Sequence, residues 1–183
     1  MVLQFPEPEL AAEGVVLRRL DDGDVPWITA TCSDLETARW LSRLPSPYTE
    51  DAARAYVEYA RLCWSSATAA PFAISDESGT GLGAIELRLG EQPSVGYWLN
   101  PSARGRGVAT IAVRLLAGWA FGELALDRLL LTTHPDNVAS QRVAERAGFT
   151  HEGIAPALLA YADGSGESQV FSLSRQRAAP ARP

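Results

Sequence analysis

The residue types that could do chemistry are concentrated in residues 95–107, VGYWLNPSARGRG. A strand ending at Asn100-Pro101 runs into a short polar loop holding Arg104, Gly105, Arg106 and Gly107, and a helix begins at once. That arrangement suits phosphate. The first N–H groups of a helix lack intrahelical partners, and the helix dipole puts partial positive charge beside them. Glycine lets a bulky anion reach the backbone with no Cβ in the way. Arg104, Arg106 and Arg114 give residues 101–114 a local charge of +3, with no acidic residue among them. The bland alternative is a glycine-rich turn with solvated arginines, and the strand–loop–helix context weighs against it. Neither the GK[ST] of a P-loop nor GxGxxG is present.

The rest of the chain is acidic. Its 16 basic residues, all arginine, face 22 acidic ones for a net charge of −6. A local basic site on such a chain points to a small polyanion; nucleic-acid binding, which neutralises many phosphates, is not expected. With 183 residues, 46% hydrophobic and 21% charged, a single domain covering residues 1–183 is expected. No apolar run approaches the ~20 residues of a membrane span. Glu7, Glu9 and Glu13 stand near the start with no basic group, the reverse of a secretory signal, so a cytoplasmic protein is expected. Cys32, Cys63, His134 and His151 have no zinc-ligand spacing, and no metal is expected. Cys63 reads as a small core residue. A cysteine nucleophile would need a histidine beside it in space.

The elements that must position the loop follow from periodicity. Residues 1–13 read as an irregular lead and residues 14–20 as a first strand. The Asp21-Asp22-Gly23-Asp24 turn caps a helix over residues 25–33. Residues 35–48 read as a loop with at most a short helical turn. Thr49 caps a second helix carrying Tyr56, Val57, Tyr59, Ala60, Cys63 and Trp64 at helical spacing. Strands over residues 71–74, 84–89 and 94–100 form an antiparallel meander. A long, largely buried helix spans residues 107–124. Residues 128–133 are a continuous apolar strand, as expected of one covered on both faces. A short helix over residues 138–147 ends at Gly148, strands begin at Phe149 and span residues 169–174, and residues 178–183 read as a frayed tail. This is an α+β order.

Several motifs in order then resemble the GNAT superfamily of acyl-CoA-dependent N-acyltransferases. Arg104-Gly105-Arg106-Gly107-Val108-Ala109 matches the R/Q-x-x-G-x-G/A loop. Asn137-Val138-Ala139-Ser140 is similar to N-x-x-S, and Arg146-Ala147-Gly148-Phe149 to the [KR]-x-GF ending. Gly96-Tyr97-Trp98-Leu99-Asn100-Pro101 resembles the RimJ/RimL-like, ribosomal-protein-alanine branch. The resemblance is strong over residues 71–174 and weaker over 14–66.

It implies a splayed mixed sheet of about six or seven strands with helices on both faces. Acetyl-CoA, the implied cosubstrate, would lie between residues 94–100 and 128–133. Its pyrophosphate would sit on the backbone of Arg104, Gly105, Arg106, Gly107, Val108 and Ala109. Its pantetheine would pair with the backbone of Trp98, Leu99 and Asn100, with an N–H near Leu99 as oxyanion donor. The implied reaction is acetyl transfer to a primary amine, on a protein N-terminus or a small molecule.

The proton acceptor would be Glu86, which alternates with Ile85 and Leu87; the competing reading is a solvated glutamate or a partner for Arg88. Family members often carry a thiolate proton donor, a tyrosine, after N-x-x-S. Here Gln141-Arg142-Val143 follows, which moves weight to Ser140. Ser140 would face the departing thiolate or cap its helix. Asn137 would be a cofactor ligand or a structural contact, His134 a cleft residue or a plain loop histidine, and His151 structural. Trp40, Tyr48 and Tyr97 would bind the acceptor, with Trp64, Phe72 and residues 158–161 as further walls. A homodimer is common in such folds. The alternative is a catalytically silent acyl-CoA-binding domain for sensing or interaction.

Overall fold

The computed structural model describes residues 3–41, 44–157 and 164–175. Among them run β1 (Leu10–Ala12), β2 (Val15–Arg18), α1 (Val25–Cys32), α2 (Leu35–Trp40), α3 (Glu50–Ser66), β3 (Ala69–Ser75), β4 (Gly81–Arg88), β5 (Ser94–Leu99), α4 (Val108–Gly122), β6 (Arg128–Thr133), α5 (Val138–Arg146), β7 (Thr150–Pro156) and β8 (Glu167–Ser174). The strands form one mixed sheet in the order β1-β2-β3-β4-β5-β6-β8-β7. All neighbours are antiparallel except β5 and β6.

The expected α+β sheet is present, with eight strands instead of six or seven. The extra strand is β1, inside the supposed irregular lead. Glu13 and Gly14, both at positive φ (51° and 76°), turn the chain tightly so that Leu10–Ala12 pairs with β2. α2 is a true helix of six residues within the stretch read as a loop. The tail expected over residues 178–183 lies outside the described residues.

Local chemistry explains the ends. Thr49 Oγ1 accepts the N–H of Ala52 at 3.3 Å and caps α3. Gly148, at φ 93°, ends α5 as its sequence position implies. On one face of the sheet α4 packs with α5 over Phe72, Ile74, Ile85, Leu87, Leu129 and Leu131. On the other, α1 and α3 enclose Ile28, Cys32, Val57 and Ala73. Alternation thus sends Ile85 and Leu87 to the α4 face and Glu86 to the α3 face. β6 departs from its expected cover: Leu129, Leu131 and Thr133 are buried, but Leu130 is half-buried and Thr132 exposed. Among the described elements, α1 and α3 pack over the β2–β5 half and leave this face of β6 open.

α1 is pinned by an ion pair between half-buried Arg18 and buried Asp24. Arg18 Nη1 and Nη2 donate to Asp24 at 2.9 and 2.6 Å, Trp27 Nε1 donates at 2.7 Å, and the Asp21 N–H at 2.9 Å. Asp24 is 2% exposed. Burial alone would raise its pKa, but the hydrogen bonds from Arg18, the Asp21 backbone and Trp27 outweigh it and hold the carboxyl below its ordinary value. A depressed carboxylate adds stability above its unfolded pKa, and that share is lost as pH falls through the folded one. Asp24→Asn is expected to cost about 3 kcal/mol, because it strips a buried pair of one charge. It should also flatten the acid limb of the stability curve, measured by guanidinium melts from about pH 6 to about pH 3.

Candidate active site

Among the described strands, the one parallel pair barely pairs. β5 and β6 match only at Ser94↔Leu130 and Val95↔Leu131, and then part. β5 itself runs straight on, because β4 holds it along its whole length from Arg88↔Ser94 to Gly83↔Leu99. The direction of its amides is fixed at both ends. The Leu130 N–H donates to the Pro93 carbonyl at 2.9 Å, so the odd-numbered residues face β6. The Asn100 N–H donates to the Leu82 carbonyl at 2.8 Å, so the even-numbered ones face β4. The N–H and C=O groups of Tyr97 and Leu99 therefore point into the gap that β6 leaves. Of the expected pantetheine partners Trp98, Leu99 and Asn100, Leu99 has its amide on that side, and Tyr97 joins it.

At the mouth of the gap the chain turns through Pro101–Ala103, capped by Asn100, into the start of α4. Gly105 and Gly107 both have positive φ (73° and 82°), and a Cβ on either would point into open space. Gly107 is the N-cap of α4 and makes no side-chain cap, so Val108, Ala109 and Thr110 begin the helix without one. Their amides and the dipole face outward.

The three arginines do not share this site. Arg104 Nη2 donates to Asp34 Oδ2 at 3.1 Å and to Thr37 Oγ1 at 2.5 Å, tying the loop to α2. Arg114 donates to the Arg146 carbonyl and joins α4 to the end of α5. Arg106 remains exposed at the loop, near enough to help hold the Asp76 carboxyl below its ordinary value after the hydrogen bonds of Ser78 and Thr80.

The two catalytic candidates lie on opposite faces. Ser140, on α5, accepts the Tyr97 O–H at 3.0 Å. It is not a cap: Asn137 Oδ1 fills that role, accepting the Ser140 N–H at 3.0 Å. Glu86, 8% exposed, accepts the Tyr59 O–H at 3.0 Å and the Arg88 Nε–H at 2.7 Å. The expected partnership with Arg88 is present, and the residue is not a solvated one. The Arg88 guanidinium lies across Gly96, where a Cβ would come within 2.6 Å of Nη2. From Glu86 an aromatic row leads away: Tyr59 stacks on Tyr56, Tyr56 meets Trp98, and Trp98 meets Trp27, at centroid spacings of 6.2, 6.3 and 5.5 Å.

The three expected acceptor residues make three different sets of contacts. Tyr97 is with Ser140. Tyr48 packs with the α1–α3 core near Cys32. Trp40 donates from Nε1 to Glu36 at 3.0 Å, and its ring lies 5.4 Å from His134 at the end of β6. Buried His134 accepts the Asp136 N–H at Nδ1. Trp64 and Phe72 are core instead of wall, edge-to-face at 5.1 Å on the α4 side. Residues 158–161 lie outside the described residues. His151 meets Gln169 at 2.7 Å, a structural contact. Sequence reading missed Tyr59 and Trp27. Tyr56 and Tyr59, three apart on α3, had offered the signal, but helical spacing reads equally as core.

The family description "Acetyltransferase (GNAT) domain" matches residues 15–150, and the chain belongs to that family. "Probable N-acetyltransferase YjcK" of Bacillus subtilis (strain 168) is 48% identical over 61 residues, 33% of this chain. That match spans about a third (34%) of the relative's own length. RimL, a ribosomal L7/L12 alpha-N-protein acetyltransferase solved in complex with coenzyme A, superposes at a TM-score of 0.79 with 20% identity, covering 91% of this chain and 97% of that one. The ribosomal-protein-S5-alanine acetyltransferase from Vibrio fischeri gives 0.80 with 19% identity over 95% and 100%. At these identities the likeness is one of fold.

Neither cysteine is built as a nucleophile. Both are buried and free, and burial pushes the Cys32 thiol up to about 11, with a hydrogen bond to Tyr48 opposing. Native Cys32 is expected to react with an aromatic disulfide reagent at neutral pH about a hundredfold or more slower than an open thiol, because the thiolate is the reactive form. Fast native labelling at this position, located by mass spectrometry, would contradict the burial.

Proposed function

We propose that this chain transfers the acetyl group of acetyl-CoA to a primary amine by direct attack on the thioester. The observation that carries the reading is the edge of β5, unpaired beyond Val95 among the described residues, opening next to an uncapped helix start. A chain of amides ending in a pyrophosphate fits that pair of features. The pantetheine would lie along Tyr97 and Leu99 as an added strand. The pyrophosphate would meet the amides from Gly105 to Ala109 with Arg106 beside them. The Leu99 N–H would accept the growing charge on the carbonyl oxygen.

In the proposed step the amine nitrogen bonds to the carbonyl carbon, the C–S bond breaks, and the electron pair leaves with sulfur. Glu86 takes the amine proton. Tyr59 and Arg88 use one lone pair on each of its oxygens, which leaves others free for that proton, directly or through water. Ser140 faces the departing thiolate.

The acceptor follows from proton arithmetic. At pH 7 about one α-amine in ten is neutral, against about one lysine amine in 2,500. A carboxylate base with two hydrogen-bond donors on it suits the easier task, so an α-amine is favoured. The names of the RimL and Vibrio fischeri structures, both acetyltransferases of ribosomal proteins, support a protein N-terminus as its source. The aromatic row beside Glu86 would receive the ammonium form.

Acetyl-CoA at about 100 times its dissociation constant is expected to stabilise the chain by about 2.7 kcal/mol, a rise in Tm of about 5–10 °C. Arg106→Glu should remove most of that rise. ATP or NADH raising Tm in place of acetyl-CoA would overturn the ligand. Glu86→Gln is expected to lower kcat about a hundredfold on peptides with a free N-terminus, assayed by mass spectrometry, while the acetyl-CoA rise in Tm persists. A Tm rise without acetyl transfer to any amine in a broad panel would instead support the silent acyl-CoA-binding domain.

A further inference from the structure

The hydrogen bond from Tyr97 to Ser140 crosses the gap in the sheet. Tyr97 sits on β5 two residues beyond the last β5–β6 pair, and Ser140 sits on α5, the helix that follows β6. Their oxygens are 3.0 Å apart, with the phenol as donor. A serine hydroxyl has one hydrogen and two lone pairs. Tyr97 fills a lone pair, and the cap at Ser140 is made through the backbone N–H and Asn137, not through the hydroxyl. The hydroxyl hydrogen is thereby turned away from Tyr97.

We propose that Tyr97 is a positioning residue that fixes Ser140 as a donor toward the sulfur of the departing thiolate. The phenol supplies the hydrogen of this bond, and the serine oxygen accepts it. Burial pushes its pKa up to about 12 against the opposing effect of Ser140, so the phenol keeps that hydrogen at neutral pH. Its ring packs with the α4-side core, which fixes the oxygen in place. As the C–S bond breaks, sulfur takes the electron pair and Ser140 donates a hydrogen bond to it. Tyr97, donating to Ser140, polarises that hydroxyl and strengthens the bond. No proton leaves either side chain. The amine proton goes to Glu86 as above, and the thiolate is protonated by water on release.

The inference rests on the reading of Ser140 as the group facing sulfur, and a double-mutant cycle separates the two. Single-turnover rates and the KM for acetyl-CoA are measured for Tyr97→Phe, Ser140→Ala and the double variant. Tyr97→Phe is expected to slow the turnover about tenfold with KM changed less than about twofold. The double variant should be no slower than Ser140→Ala. Multiplying losses, or a Tyr97→Phe enzyme at the full rate beside a slow Ser140→Ala, would overturn the positioning role and leave Ser140 in place. A Ser140→Ala enzyme at the full rate would remove the reading beneath it. Should Tyr97→Phe fail to fold, 3-fluorotyrosine at position 97 keeps the shape and makes the phenol a stronger donor. It should change the single-turnover rate at constant Tm, and an unchanged rate overturns the proposal.

Discussion

The molecule depends on a strand that loses its neighbour. Backbone amides inside a sheet are obliged to find partners, yet Tyr97 and Leu99 present theirs to a gap because β6 diverges after Leu131. The edge is held open from the other side. β4 pairs with β5 to its last residue, so β5 cannot follow β6 or twist away to satisfy itself. The helix start with Gly105 and Gly107 lies a few residues beyond. Sheet edge and helix start both have backbone groups to spare, and here the short turn after Asn100 joins one to the other.

This surface owes less to side-chain charge than composition suggests. Arg104 and Arg114 supply two of the three positive charges near the loop, and both are engaged by the protein itself. Arg104 gives α2 its tie to the loop, while Trp40, at the other end of α2, lies against His134 beyond β6. α2 therefore touches both arms of the gap, through Asp34 and Thr37 on Arg104 and through Trp40 on His134. In the proposed reading, anion affinity is left to the amides, the dipole and Arg106. In a chain of net charge −6, amides fixed by the fold would then set the shape of the anion that the loop accepts.

How much of this could be read in advance follows from range. Periodicity and caps are local, so Thr49, Gly148, the long buried helix and the limits of β6 were legible, as was the glycine-rich helix start. β1 was hidden because Pro6 and Pro8 speak against order while the Glu13-Gly14 turn speaks for it, and its pairing with β2 is visible only once both strands are placed. The expectation that β6 is covered on both faces failed because an apolar run records buried neighbours without saying that, among the described residues, α1 and α3 cover only half of their face of the sheet. Charges were visible but not their partners: nothing near Arg104 names Asp34, 70 residues earlier. Trp64 and Phe72 resemble Tyr56 and Tyr59 in type, and only the packing shows that the first two fill a core while the others lead to Glu86.

The placement of Glu86 and Ser140 on opposite faces is a consequence of the period of two. Tyr97 and Trp98 are adjacent, so their side chains leave β5 in opposite directions. Tyr97 goes to Ser140 and α5; Trp98 goes to Tyr56, Trp27 and the Glu86 side. A thioester lying along the edge of β5 would then have a carboxylate toward one face and a hydroxyl toward the other. That is what direct transfer requires. The entering amine must lose a proton on one side of the carbonyl plane, the departing sulfur must be met from a different direction, and the oxyanion needs a donor between them. In the proposed reading, one strand whose edge is open among the described residues would supply all three directions: two from its alternating side chains and one from the Leu99 amide. A paired strand offers only the first two, so the proposed chemistry would be housed where β5 and β6 part.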